Sequence, residues 1–234
     1  MIKPSGRVDP NFIGNSAAII TAFLWSGSSI LFTSAGKRIG FFSVNAFRSV
    51  ITVGMLACAH IVLLGYVLPA ANGEQWFWMG LSGIVGLGIG DFGLFAAYVL
   101  IGPSRSLLVM ASSPIFASVG AFLMLGETLP ELAVLGVAVT LTGIFIVLLE
   151  REKDTTNSRN GGKRKAWGIF AAVVAAAGQG VGLVLSKKGM YVGGSVAMNS
   201  VSAALIRMMI ATLFVWSAAF FLRKLPELLK TAKD

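Results

Sequence analysis

Charged residues are scarce in this chain. Asp, Glu, Lys and Arg together make up 12% of its 234 residues, about half of the roughly 25% that is usual for a soluble globular domain. The mean hydropathy is +0.81, and 28 residues are glycine, a residue that is enriched in membrane helices. This composition excludes an ordinary soluble domain and indicates an integral membrane protein.

Residues that commonly carry chemistry are also few. The one cysteine, Cys58, cannot form an intramolecular disulfide, and with only one histidine, His60, the sequence contains no metal-ligand cluster. No Ser or Cys constellation accompanies His60, and no Walker loop is present. We therefore predict that the chain is not an enzyme, does not use ATP, and needs neither a metal nor a cofactor.

Acidic residues are outnumbered by basic ones, 10 to 19, so the formal net charge is +9. In a soluble protein such an excess would suggest binding to nucleic acid. Here the basic residues lie mostly in the polar segments outside the apolar runs. We therefore attribute them to membrane topology and to contacts with anionic lipid headgroups, and predict no nucleic-acid partner.

Long apolar runs are what the chain does contain. Each run is close to the ~20 residues that cross the hydrocarbon core of a bilayer. The predicted spans are 14–36, 41–65, 76–100, 104–125, 131–149, 167–189 and 197–222. The first is too long for the apolar region of a cleavable signal peptide. The sequence thus predicts an all-α integral membrane protein with about seven transmembrane helices.

Polar stretches divide these spans into two groups. Residues 1–12 form a predicted N-terminal tail, and residues 150–166, rich in Gly, Ser, Asn and charge, form a predicted flexible linker. The chain ends in a basic tail, 223–234. The predicted units are therefore 13–149, with five spans, and 167–222, with two.

The two units are weakly similar in sequence. Ser26 in the first unit aligns with Gln179 in the second, and Arg48 aligns with Arg207. A unit of five helices is odd-numbered, so a second copy lies upside down in the membrane relative to the first. That is the inverted-repeat architecture of many secondary transporters. We predict one complete five-helix repeat followed by the first two helices of an inverted second repeat.

One pair of spans resembles a known family. Pro114 interrupts a span, Gly126-Glu127 follows at a turn, and the next span, ELAVLGVAVTLTGIFIVLL at 131–149, carries glycines seven residues apart. This order resembles the fourth and fifth helices of the repeat in EamA-type transporters, members of the drug/metabolite transporter superfamily. That family has ten helices, so the resemblance implies either a fragment or a naturally shortened protein.

The resemblance implies a function. It implies a secondary-active exporter of a small polar metabolite in the cytoplasmic (inner) membrane, working by alternating access, with substrate bound between the first four helices of each repeat. The alternative is a truncated or degenerate membrane protein that packs with partner subunits and transports nothing. Both interpretations allow an oligomer.

Polar and aromatic side chains placed within spans are candidates to line a substrate cavity. A polar group at membrane depth must find a hydrogen bond within the protein or in a wet cavity. The candidates are Trp25, Ser26, Tyr98, Ser112, Ser113 and Gln179. The competing interpretation of each is a hydrogen bond that joins two helices, worth about 0.6 kcal/mol.

Three ionisable residues within spans complete the candidate site. Asp91 is the one acidic residue near the middle of a span, where a charge indicates a cavity, a proton pathway or a charged partner. We name it as the candidate carrier of a coupling proton. Arg48 and Arg207 either extend to the headgroups or bind an anionic group, such as a carboxylate or phosphate, in the cavity.

Other residues have predicted structural roles. Gly86 and Gly90 are spaced to allow another helix backbone to approach closely; alternatively, they make the span bendable. The hydroxyls of Ser112 and Ser113 are placed to help satisfy the carbonyl that Pro114 releases. Glu127 is predicted to cap the helix that follows it.

Overall fold

The described part of the chain is a bundle of helices. The computed structural model describes residues 10–127, 131–149, 161–192 and 197–231, and no strand occurs among them. The helices are α1 (Pro10–Ile39), α2 (Phe41–Leu64), α3 (Gly73–Ser82), a π-helical segment (Gly83–Gly90), α4 (Asp91–Ile101), α5 (Pro103–Met110), α6 (Ser113–Leu125), α7 (Glu131–Leu149), α8 (Gly161–Tyr191), α9 (Ser200–Phe221) and α10 (Leu225–Thr231).

Among the residues that the structure describes, six stretches are long and apolar enough to cross a membrane, which confirms the predicted all-α membrane fold. They are Gly14–Ile39, Phe41–Leu64, Gly73–Ile101, Pro103–Leu125, Gly162–Tyr191 and Ser200–Phe221. The seventh predicted span, 131–149, forms α7, within which Val134–Ile144 is a shorter apolar helix.

Glycines in the left-handed region end the helices and permit sharp reversals. Gly40, between α1 and α2, has φ 86°, and Gly102, between α4 and α5, has φ 85°. Such values are favourable for glycine and strained for other residues. One residue therefore suffices for each reversal. This agrees with the short gaps between the predicted spans 14–36 and 41–65 and between 76–100 and 104–125. Gly65, after α2, also has a positive φ, 79°.

Three segments differ from the predicted boundaries. Helix α1 begins at Pro10, inside the predicted tail 1–12, and the first nine residues of that tail lie outside the described residues. Helix α8 begins at Gly161, several residues inside the predicted linker 150–166; the rest of that linker lies outside the described residues. The predicted basic tail contains α10, whose Leu228 is 1% exposed and packs against Phe42 and Val215. Leu225 and Leu228 of this short helix pack onto the bundle, although most of the segment 223–234 is polar or charged.

The third span is not a uniform α-helix. Its glycine-rich centre, Gly83–Gly90, is π-helical and lies against both α8 and α9. A Cβ atom at Gly83 would be 2.2 Å from the carbonyl oxygen of Arg207 in α9, and one at Gly182 in α8 would be 2.8 Å from Cα of Gly86. The glycines therefore allow three backbones to touch, in agreement with the close packing expected for Gly86.

Contacts at the two ends of α8 show which helix ends lie together in the bundle. At one end, the Arg164 guanidinium near the start of α8 donates to the carbonyl of Val99, 3.2 Å away, near the end of α4. At the other end, Lys187 near the end of α8 pairs with Glu127, which follows α6. Helices α6 and α8 therefore finish at the same end of the bundle, and α8 starts at the other end.

Candidate functional site

Asp91 is a buried carboxylate at the start of α4, directly after the π-helical segment. It is 3% exposed and lies about ten residues, or about 15 Å, from the end of its span. Its Oδ2 pairs with the Arg48 guanidinium, and its Oδ1 accepts a hydrogen bond of 2.8 Å from Gln179 Nε2. This carboxylate therefore joins α2, α4 and α8 inside the bundle.

Arg48 turns into the protein from α2. Besides Asp91, its Nη2 donates to Asn45 Oδ1 at 3.3 Å, and its guanidinium carbon lies 5.2 Å from the centre of the Phe95 ring. Its Nε is buried and has no hydrogen-bond partner among the described residues. Of the two roles considered for Arg48, the structure shows the inward-facing one and not an extension to the headgroups.

Gln179 reaches Asp91 because α8 lies unusually close to the π-helical segment. A Cβ atom at the preceding residue, Gly178, would be 2.9 Å from Cα of Gly90. Because both residues at this contact are glycine, the backbones of α8 and the π-helical segment lie very close together. The Gln179 side chain is therefore long enough to reach the Asp91 carboxylate. Gly90 is thus part of the packing that positions the site.

Arg207 approaches the same region from α9. Its Nη2 would be 3.4 Å from a Cβ atom at Gly86, so the guanidinium lies against the π-helical segment, five residues before Asp91. Its Nε is buried without a hydrogen-bond partner in the described ranges. The ion pair that the structure shows for Asp91 is formed by Arg48 and not by Arg207.

The cluster therefore holds two guanidinium groups and one carboxylate. Three of its buried donors lack an acceptor within the described structure: Nε of Arg48, Nε of Arg207, and Nδ2 of Asn45. A buried donor left without an acceptor costs about 1–3 kcal/mol. The arrangement can thus accept further hydrogen-bond acceptors, and its excess of positive charge favours anionic ones.

A small cavity borders this cluster. Its volume is about 50 Å³. The lining residues are Trp25, Ser28, Phe32, Arg48, Asp91, Leu94, Phe95 and Tyr98. Two charged groups in a mostly apolar and aromatic wall are typical of small-molecule sites, where a few polar groups fix the ligand's orientation.

A larger open groove lies between α1 and α5. It measures about 600 Å³, and its lining includes Ser26, Thr21 and Met110. Trp25 lines both this groove and the cavity beside Asp91. The structure therefore places Trp25 between the two, whereas Ser26 is exposed and lines only the groove.

Ser112, Ser113 and Pro114 lie apart from the charged cluster, at the break between α5 and α6. The Ser112 hydroxyl donates to the carbonyl of Val109 at 2.7 Å, so it satisfies backbone where the helix is interrupted. Ser113 is partly buried, and its carbonyl oxygen would be 2.5 Å from a Cβ atom at Gly180. These serines take part in the backbone and packing at the proline.

Gly126 and Glu127 lie at one end of the bundle. Gly126 ends α6 in the left-handed region, with φ 67°. The Glu127 carboxylate pairs with Lys187 of α8; residues 128–130, where the next helix would be capped, lie outside the described structure. Beside this pair, Lys188 Nζ lies 4.0 Å from the centre of the Trp78 ring.

Sequence reasoning missed two polar residues that the structure makes important. Asn45 is 1% exposed and binds Arg48; its position one helical turn before Arg48 was the available signal. His60, the one histidine of the sequence, is 0% exposed. Its Nδ1 lies 2.8 Å from the carbonyl of Tyr66, and its Nε2 lies 2.9 Å from the Ser202 hydroxyl.

A comparison with known families identifies the chain. The sequence model of the EamA-like transporter family matches residues 12–149, more than half of the chain. The chain belongs to the EamA-like transporter family. No curated protein matches it. This EamA-like transporter is thus a multi-pass membrane protein of the drug/metabolite transporter superfamily, as the Pro114 and Gly126-Glu127 pattern predicted.

The family also bears on chemistry. EamA-like transporters are in general not enzymes, and their partners are small-molecule substrates and membrane lipid. Across the ranges that the structure describes, no group of three or more His, Cys, Asp or Glu side chains is arranged to hold a metal ion. The contacts that the structure shows at the Asp91 cluster are an ion pair, hydrogen bonds and contact with an aromatic ring.

Proposed function

We propose that this EamA-like protein is a secondary-active transporter that exports a small polar metabolite across the cytoplasmic membrane by alternating access. The observation that carries the proposal is the buried network of Asp91, Arg48 and Gln179 beside an aromatic-lined cavity. Ionisable groups at membrane depth are costly, and in membrane proteins they mark substrate and ion pathways.

The π-helical segment supports a moving site. Interruptions of an α-helix by π-helical turns are frequent at functional sites, and this one ends where Asp91 begins. Gly83 and Gly86 contact α9 and α8 through backbone, so a shift of either helix acts directly on the segment that carries the carboxylate. A rocking motion of the two units would thereby change the surroundings of Asp91.

The competing proposal is a membrane protein that packs with partners and transports nothing. It treats the Asp91 network as structural, like the polar contacts that join helices elsewhere. Under that proposal, the network would contribute to stability only, and the protein would carry out no flux in the absence of partners.

Proteoliposome flux discriminates between the two. The purified protein is reconstituted, a pH gradient is imposed, and uptake is followed across amino acids, nucleosides, sugars and organic acids. We expect gradient-dependent flux of at least one class and its loss in Asp91→Asn. Glu127→Gln, which removes a carboxylate from an exposed ion pair, is the matched control and should retain flux.

The transport proposal and the packing-protein proposal predict different flux results. Flux that persists without a pH gradient, and that Asp91→Asn abolishes, supports transport and removes the proton from the proposal. Absence of flux for every class, with a correctly folded protein, favours the packing protein.

A further inference from the structure

We propose that the site takes a small organic anion with a single negative charge, which binds Arg48 in the place that Asp91 occupies, while Asp91 turns to Arg207. The proposal rests on the transport function proposed above and specifies its substrate class. It assigns Asp91 the role of an internal substitute for the substrate's carboxylate.

The first step of the argument is the charge of the cluster. Arg48 and Arg207 supply two positive charges and Asp91 supplies one negative charge, so one positive charge of the cluster has no counter-charge among the described residues. An unpaired charge in a low-dielectric environment is strongly unfavourable. A monovalent anion makes the cluster neutral, whereas a cation raises its net charge to two.

The second step is the position of the cavity. Both Arg48 and Asp91 line it, so a ligand inside it contacts the same guanidinium that Asp91 binds. At about 50 Å³ it has room for a head the size of one or two water molecules, at about 30 Å³ each. A carboxylate head fits that space, and an apolar body would lie along Trp25, which also borders the α1–α5 groove.

The third step is that Asp91 has a second partner available. Arg207 lies against Gly86, about one helical turn from Asp91, and its buried Nε has no acceptor in the described part of the chain. When an anion takes Arg48, Asp91 keeps an ion pair by turning to Arg207. The exchange leaves two ion pairs where there was one and satisfies a donor that lacked a partner.

A cationic substrate fits the geometry less well. Both Asp91 oxygens already accept hydrogen bonds, one from Arg48 and one from Gln179. An ammonium group would have to displace a guanidinium that has no other carboxylate within the described cluster. The displaced charge would then be buried without compensation.

The test measures equilibrium binding to the full chain in lipid nanodiscs, with benzoate as the probe. Benzamide has the same shape without charge, benzylammonium has the opposite charge, and terephthalate has two negative charges. We expect saturable binding of benzoate that benzamide and benzylammonium do not compete for, and weaker binding of terephthalate. Preferential binding of benzylammonium overturns the proposal.

Four variants test the exchange of partners. Arg48→Gln should abolish benzoate binding, and Arg207→Gln should weaken it by at least about tenfold, because Asp91 then has nowhere to turn. Asp91→Asn should strengthen binding by about tenfold or more, since the internal competitor is gone. The double variant Asp91→Asn/Arg207→Gln should bind at least as well as the wild type, because no exchange is needed.

That recovery is specific to the proposed exchange. If the double variant binds no better than Arg207→Gln alone, Asp91 does not compete with the ligand and the proposal fails. Arg207→Lys, which keeps the charge, covers the case in which Arg207→Gln does not fold, and it should retain most of the affinity. Lys187→Gln removes a positive charge outside the cluster and should leave binding unchanged.

Flux measurements keep this proposal separate from the transport function. If benzoate binds with the expected variant pattern but no flux is found for any solute, the anion site stands and the transport proposal fails. If flux is found only for cationic solutes, the transport proposal stands and the anion site is overturned.

Discussion

Helices α1 and α8 begin the two units that the sequence predicts to be related, yet they lie in different surroundings. Of the most apolar stretch of α1, 11% of the residues are buried, against 50% in α8. Helix α8 packs against α3, the π-helical segment, α4, α5 and α6, whereas α1 packs against α2, α4 and α5. The two helices are weakly similar in sequence, but they are packed differently.

The difference extends to individual residues. In α8, Gly178 and Gly182 lie against the backbone of the π-helical segment, whereas a Cβ atom at Gly27 in α1 would have nothing within 4 Å. Gln179 binds the Asp91 carboxylate, whereas Ser26, its predicted equivalent, is exposed. Positions that the sequence predicts to be equivalent therefore carry different roles, because the neighbours of a helix decide what its glycines and polar groups do.

Replacing a glycine should give the largest difference in stability between variants of α8 and variants of α1. Gly182→Leu should destabilise the protein by about 1–3 kcal/mol or more, because the new side chain meets the Gly86 backbone. Gly27→Leu, the matched control, should leave the stability nearly unchanged. The melting temperature in detergent should fall by at least several degrees for the first variant. Equal shifts for the two would show that the close contact of α8 is wrong.

Replacing a polar residue by leucine should give an intermediate difference in stability between variants of the two helices. Gln179→Leu removes one hydrogen bond from the buried Asp91 carboxylate, and we expect a loss of about 1–3 kcal/mol. Ser26→Leu places another apolar side chain at an exposed position of α1 and should cost little. Chemical denaturation of both variants measures the difference. A cost for Ser26→Leu that matches or exceeds that of Gln179→Leu would refute the placement of Ser26 outside the network.

Charges near the ends of the helices should give the smallest contrast. Lys187 and Glu127 are about half exposed, with side-chain exposures of 52% and 47%, and a surface ion pair is worth about 0–1 kcal/mol. Lys187→Met should therefore lower stability slightly, and the effect should shrink as salt is raised. Lys37→Met, in the last turn of α1, is the control. A loss that salt does not reduce would show that Lys187 stabilises by packing.

The helical spans were predictable because length and hydropathy determine them. The break at Pro114 and the reversals at Gly40 and Gly102 also follow from single residues with strong backbone preferences. The family followed from the order of Pro114 and Gly126-Glu127. None of these features requires knowledge of which helices are neighbours.

The site was predictable only in part. Asp91, Arg48 and Gln179 were each selected as polar groups within spans, but they come from three different helices, and their pairing depends on packing. The π-helical segment was not predicted, because its residues, GIVGLGIG, are equally compatible with an ordinary apolar helix. The burial of His60 was missed for the same reason: its partner Ser202 is distant in sequence.

The π-helical segment also fixes the rotational phase of the third span. Each residue of an α-helix turns by about 100°, so deleting one residue between Gly83 and Gly90 would rotate everything after it relative to α3. Asp91 would then point away from Arg48, while the chain would stay helical and apolar. The direction of one carboxylate in this protein is thus set by the count of residues in a glycine-rich turn.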